Sequence, residues 1–224
     1  MGWISESGIK RSITSGLGID ISRTFSLAIS ASLNWGAYNY NRSFTEHDIN
    51  NKYNVLDKGP LFTNTDFNKV TVTDSLSQEF TGVNAKLGLL YKVKEWARLG
   101  LTITLPKVLT VTENFSRNAN SEFDNHNSYS FSENGRNTYT TYSPWIFALG
   151  FSAITECLIL SGNLEYSDYS QLSFDNRNTY NVSLNNEIIK TLGEQISYGI
   201  GAEYTFNEIP RCIRAGYSKV GTQH

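Results

Sequence analysis

The chain has 224 residues, enough for one domain with a substantial interior, and no apolar run near the ~20 residues that a spanning helix needs. Tyrosine (13), phenylalanine (12) and tryptophan (4) are frequent and methionine occurs once, a composition that suits strands better than helices. A formal net charge of -2 argues against a nucleic-acid partner, whereas a mean hydropathy of -0.34 does not argue against a membrane, because a barrel strand shows lipid only every second residue.

The N-terminal MGWISESGIK contains no apolar core of the kind a signal peptide carries. Alternation begins at Ile13, with Leu17, Ile19 and Ile21 on the same side and Thr14, Gly16, Gly18 and Asp20 on the other. After a minimal turn at Arg23-Thr24 comes the clearest element, Phe25 to Tyr38. Phe25, Leu27, Ile29, Ala31, Leu33, Trp35 and Ala37 form one apolar side, opposite Ser26, Ala28, Ser30, Ser32, Asn34 and Gly36. From Phe25 to Trp35 such a strand rises about 33 Å, or about 25 Å after a tilt of about 40°, which is the height of the apolar band on an outer-membrane barrel. An aromatic stands at each end of it.

From Asn39 to about Glu79 the pattern dissolves into a polar connection. It resumes at Val83, Ala85, Leu87, Leu89, Tyr91 and Val93, turns near Lys94-Glu95, and returns through Ala97, Leu99, Leu101, Ile103 and Leu105. A second polar stretch covers Glu113 to about Thr141. Then Trp145, Phe147, Leu149, Phe151 and Ala153 form a strand, Thr155-Glu156 a turn, and Leu158, Leu160, Gly162, Leu164 and Tyr166 the strand after it. A third polar stretch, about Ser167 to Glu194, precedes Ile196, Tyr198, Ile200, Ala202, Tyr204 and Phe206. A turn at Asn207–Pro210 opens the last strand, Arg211 to Lys219.

Short and long connections alternate throughout. That is the signature of an up-and-down transmembrane β-barrel with trimmed turns at one end and long loops at the other; a soluble sandwich has no reason to sort its loops this way. The charges agree, since Lys86, Arg98, Glu165, Glu203 and Arg214 all fall on the side away from lipid. Weaker alternation inside the loops (Val70 and Val72; Tyr129 and Phe131) predicts that the strands continue beyond the membrane. Cys157 and Cys212 sit at the starts of strands too far apart to bridge, and two free thiols are expected.

Several segments resemble the FadL family of outer-membrane transporters for long-chain fatty acids and aromatic hydrocarbons. They are LEYSDYSQLSF (Leu164 to Phe174), YGIGAEYTFNEIPRCIRAGY (Tyr198 to Tyr217), GVNAKLGLLYKVKEWARLGLTITLP (Gly82 to Pro106) and PWIFALG (Pro144 to Gly150). The resemblance implies a fourteen-stranded barrel with an N-terminal hatch in its lumen, of which about eight strands are present here. Residues 1–224 are therefore expected to be a partial barrel domain without the signal, the hatch or the closing strands. It also implies a bacterial outer-membrane location and passive transport, with the solute leaving sideways through the wall. The expected partners are hydrophobic small molecules, membrane lipid and lipopolysaccharide, with a monomer once the barrel is complete.

No catalytic, cofactor-binding or metal-binding residue is expected. His47, His126 and His224 are the only histidines, two in loops and one at the terminus, and no ligand spacing joins them. Two groups of residues are candidates for transport. Asn84, Lys86, Arg98, Asn163, Glu165, Glu203 and Arg214 are expected to line the lumen, where they either pair and fill it or face a wet channel. Tyr53, Leu56, Leu61, Phe62 and Phe67 in the first long loop are expected to capture an apolar solute or to pack against neighbouring loops. A non-specific porin and a structural or adhesive outer-membrane barrel are the competing readings.

Overall fold

The computed structural model describes residues 1–52, 66–124, 127–175, 179–206 and 211–222. Eleven strands form one sheet, and every pair whose register is resolved is antiparallel. The first three are long: β1 (Gly2–Asp20), β2 (Phe25–His47) and β3 (Phe67–Lys94). Next come β4 (Ala97–Thr104), β5 (Val108–Phe123), β6 (Ser128–Tyr142), β7 (Ile146–Ile154) and β8 (Leu158–Asp168). The two-residue β9 (Ser173–Phe174), β10 (Glu194–Thr205) and β11 (Cys212–Lys219) complete the sheet.

β2 lies between β1 and β3. β3 pairs with both β4 and β5, and from there the order runs β4-β7-β8-β10-β11 on one branch and β5-β6-β9 on the other. The branching has a simple cause. Pro106 separates β4 from β5 and Pro144 separates β6 from β7; neither has an N–H to give to a ladder. The chain runs on across both gaps, where Leu105 N–H donates to the Ala85 carbonyl (2.9 Å) and Ser143 N–H to that of Lys107 (3.0 Å). Counting each interrupted pair as one pass and leaving out β9, the chain makes eight passes, the number read from the sequence.

The described residues divide into two compact units. The first is Met1–Arg11, Trp35–Phe80 and Val111–Thr138; the second is Ser12–Asn34, Thr81–Thr110 and Tyr139–His224. In the second unit the register aligns the apolar residues row by row. Leu89, Leu101, Leu149, Leu164 and Tyr198 are successive partners across five strands, and Tyr91, Leu99, Phe151, Gly162, Ile200 and Tyr217 form another row. Most of these large apolar side chains are exposed. A monomeric soluble domain does not carry so wide an apolar sheet face open to water; a lipid-facing barrel wall does.

The first unit is built of strand continuations of the kind that the weaker alternation at Val70 and Val72 and at Tyr129 and Phe131 predicts. β2 continues to His47 and β3 begins at Phe67, so the polar connection is mostly a hairpin ladder. Asn41 and Ser75 (2.9 Å) and Thr45 and Thr71 (3.2 Å) are hydrogen-bonded across it. The second polar stretch is likewise the β5–β6 hairpin, held on one face by Thr112–Thr138, Asn118–Ser132 and Asn120–Ser130 side-chain bonds of 2.8–3.1 Å. These are the cross-strand polar pairs of an antiparallel ladder.

The third long connection contains a helix that the sequence pattern did not indicate, α1 (Thr179–Thr191), after a 3₁₀ turn at Tyr169–Gln171 and β9. Asn185 anchors it by mimicking a strand. Its Oδ1 accepts from Phe174 N–H (2.7 Å) and its Nδ2 donates to the Phe174 carbonyl (2.8 Å). Buried Asn181 donates to both the carbonyl and the carboxylate of Asp175, each at 2.9 Å. β9 in turn pairs with the end of β6 through Thr141–Phe174 and Tyr142–Ser173.

Candidate functional site

Within the second unit, the face opposite the apolar rows carries the residues expected to line a lumen. The register puts them on one side. Lys86 pairs with Thr104, Arg98 with Ser152, Asn163 with Gly150 and Gly199, Glu165 with Ala148 and Ser197, and Glu203 with Arg214. Asn34, almost fully buried, donates to Asn84 Oδ1 at 3.2 Å. Arg214 Nε donates to Glu203 Oε2 at 2.5 Å, so this pair is closed. Among the described residues, Lys86, Arg98 and Glu165 join no ion pair and are exposed. Small residues separate these charges. Gly100, Gly150, Asn163, Gly199 and Ser218 make one row, and Ser161, Gly201 and Gly216 lie beside it around a concavity of about 420 Å³. This face is partly paired and partly open to solvent.

In the first unit the apolar residues of the same strands change from odd to even numbers. β2 offers Tyr38, Tyr40 and Phe44, and β3 offers Val70, Val72, Leu76 and Phe80. Successive residues of a strand point to opposite faces, so within the first unit the apolar side of β2 and β3 is the even-numbered one. Charges are set into the even side. Asp74, its side chain only 14% exposed, accepts from Arg42 Nε (2.8 Å) and Nη2 and from Arg117 Nε (2.7 Å). The Arg117 hydrogen bond first, and then Arg42, hold the Asp74 carboxyl below the usual carboxylate range, against an opposing effect of burial.

Tyr40, Leu76 and Phe115 complete this side of the site, and Glu133 of β6 stands by Arg117. The concavity measures about 420 Å³. Sequence reasoning named none of these residues. The available signal was the even-numbered apolar set with one arginine and one aspartate embedded in it.

Phe67, expected in a capture loop, is instead the first residue of β3 and packs edge-on against Phe123 at 6.4 Å. Tyr53, Leu56, Leu61 and Phe62 lie outside the described residues, as do His126, His224 and the Asn207–Pro210 turn. His47 ends β2. Both cysteines are free.

No protein-family model matches the chain, and no curated protein matches it by sequence. Solved structures do match. The Ralstonia pickettii toluene transporter TbuX superposes with a TM-score of 0.56 at 13% identity, over 96% of this chain and 56% of TbuX. The Pseudomonas putida toluene transporter TodX gives a TM-score of 0.41 at 10% identity, over 98% of this chain and 73% of TodX. A Pseudomonas aeruginosa FadL homologue gives 0.39 at 12%, over 95% and 60%. The TbuX likeness is close enough to carry an argument about fold and, at that identity, about nothing finer; the other two carry none. The chain therefore shares the antiparallel, strand-rich fold of TbuX. It spans just over half the length of TbuX.

Proposed function

We propose that the protein passes hydrophobic compounds, long-chain fatty acids or aromatic hydrocarbons, across the bacterial outer membrane without an energy source. One observation carries this reading. An exposed apolar face runs in register from β3 to β11, backed by a polar face of small and charged residues. Lipid would cover the first face and the route would follow the second. The fold shared with TbuX supports it, since TbuX is a toluene transporter.

In this reading the solute is collected at the first long connection, where Tyr53, Leu56, Leu61 and Phe62 supply apolar surface next to Phe67 at the start of β3. It then moves down its gradient past Asn84, Lys86, Arg98, Asn163, Glu165, Glu203 and Arg214. The protein is a monomer in contact with lipid and lipopolysaccharide and performs no catalysis. The competing porin reading is favoured by Lys86, Arg98 and Glu165, exposed and in no ion pair among the described residues, which suits a wet channel.

Uptake of labelled palmitate, toluene and a small sugar by cells producing the protein, with and without residues 53–67, separates the two. Loss of palmitate or toluene uptake with sugar unaffected is the expected result. Unchanged uptake of both, together with sugar leakage, would replace this reading by the porin.

A further inference from the structure

The Arg42–Asp74–Arg117–Glu133 series is the most organised polar feature in the first unit. The β5–β6 bonds named above set Arg117 opposite Glu133 and Phe115 opposite Gly135. A side chain at Gly135 would meet the Phe115 ring at 2.6 Å, so the ring occupies the space that this glycine leaves open. Across β2, β3, β5 and β6 the charges thus alternate plus, minus, plus, minus beside an apolar row of Tyr40, Leu76 and Phe115.

This composition selects among solutes. The four charges sum to zero, so the site offers no net attraction to an anion or a cation. A carboxylate arriving at Arg117 would meet Asp74 and Glu133, and an ammonium arriving at Glu133 would meet two guanidiniums. A plain hydrocarbon would use the rings but cover charged groups without replacing the water it removes. A hydroxyl satisfies both signs at once: it accepts from a guanidinium N–H and donates to a carboxylate. Arg117 has room for this. Its Nε is committed to Asp74, while its side chain is 57% exposed.

We propose that this concavity binds a neutral aromatic solute bearing a hydroxyl group, a phenol, with its ring against Tyr40 and Phe115 and its hydroxyl between Arg117 and Glu133. The inference deepens the transport reading by naming a solute class, and it rests on that reading for the solute's destination. Asp74 is a positioning residue here, fixing both guanidiniums without touching the solute.

Four compounds with one body test it: p-cresol, toluene, 4-methylbenzoate and 4-methylbenzylamine, titrated calorimetrically into the full protein in detergent. The expected order has p-cresol at least about tenfold tighter than the other three, the difference one good hydrogen bond makes. Glu133→Gln, which leaves only a weaker neutral acceptor for the hydroxyl, is expected to reduce that preference. Equal affinity for p-cresol and toluene, tighter binding of either ion, or an unchanged preference in Glu133→Gln would overturn the proposal. The same compounds in the cell uptake assay keep the two ideas apart. A p-cresol preference in binding without uptake sinks the transport reading and leaves the site; toluene uptake without a p-cresol preference does the reverse.

Discussion

Gly36 of β2 faces the carbonyl of Ile9 on β1 so closely that a β-carbon would fall inside the oxygen's van der Waals envelope, and the Phe80 ring closes the same space at 2.6 Å. Gly162 of β8 looks similar at first, with the Phe151 ring even nearer to where its β-carbon would be than Phe80 is at Gly36. The two differ in what would have to move. At Gly36 the obstacle includes strand backbone; at Gly162 it is the far end of a side chain on an open face. Gly36→Ala is therefore expected to destabilise the protein by about 1–3 kcal/mol, the range for overpacking, and Gly162→Ala by well under that. Urea unfolding followed by tryptophan fluorescence in detergent checks the contrast. Equal losses would mean that β1 gives way as easily as an aromatic ring.

Leu149 and Ala148 are neighbours in β7 with opposite surroundings. Leu149 stands between Leu101 and Leu164, and Ala148 between Thr102 and Glu165. If the odd-numbered face meets lipid, Leu149→Lys costs about 2–4 kcal/mol near the midplane. Ala148→Lys, beside the Glu165 carboxylate, is expected to cost little. Unfolding midpoints after refolding into phospholipid vesicles report both. Equal tolerance at the two positions would remove the lipid-facing assignment.

The legibility of this chain in its sequence follows the solvent. On a barrel wall that meets lipid every second residue of a strand is apolar, and in this chain Val83 to Tyr91 and Phe147 to Phe151 follow that pattern without interruption. The number of passes, their order and the polar side of Lys86, Arg98 and Glu203 were accordingly readable. In the first unit nothing enforces that uniformity. Arg42, Asp74 and Gln78 interrupt the even-numbered apolar set, so a window sees only weak alternation, enough to predict that strands continue but not where they end. The charge series was invisible for a further reason: Asp74 and Arg117 are 43 residues apart and meet only through strand pairing. Helix α1 escaped notice because TYNVSLNNEIIKT has no sustained apolar stripe and three asparagines, residues that favour turns. Two of those asparagines are what attach it to β9 and Asp175.

Asp74 makes stability fall with acid. Its carboxyl is held below the usual range, chiefly by the Arg117 hydrogen bond. A group depressed in the folded state stabilises above its unfolded value, about 4, and loses that contribution as pH falls through its folded value. Asp74→Asn is expected to cost about 1–2 kcal/mol at pH 7, a figure kept low because both guanidiniums remain hydrated. The gap between the two proteins is expected to close as pH falls below about 4. Unfolding midpoints that stay parallel down to acid would show that the two arginines do not depend on the carboxylate charge.

Asp66 carries the opposite sign. It sits at the foot of β3, where Asp124 N–H donates to its carbonyl at 3.0 Å, and its buried Oδ1 has no hydrogen-bond partner among the described residues. Burial first, then the charges of Asp124 and Asp48, push its carboxyl above the usual range. A carboxyl raised in the folded state favours folding below its unfolded value, and that contribution is lost as pH rises through the folded value. The join between residues 66–67 and 123–124 is therefore expected to be tightest in mild acid and to loosen toward neutrality. Hydrogen exchange of the Asp124 amide, corrected for the intrinsic pH dependence of exchange, is the direct readout. Protection should fall as pH rises above about 4, and Asp66→Asn should hold it level with pH. Protection in the native protein that is flat with pH would mean that Asp66 is already ionised and accommodated at about pH 4.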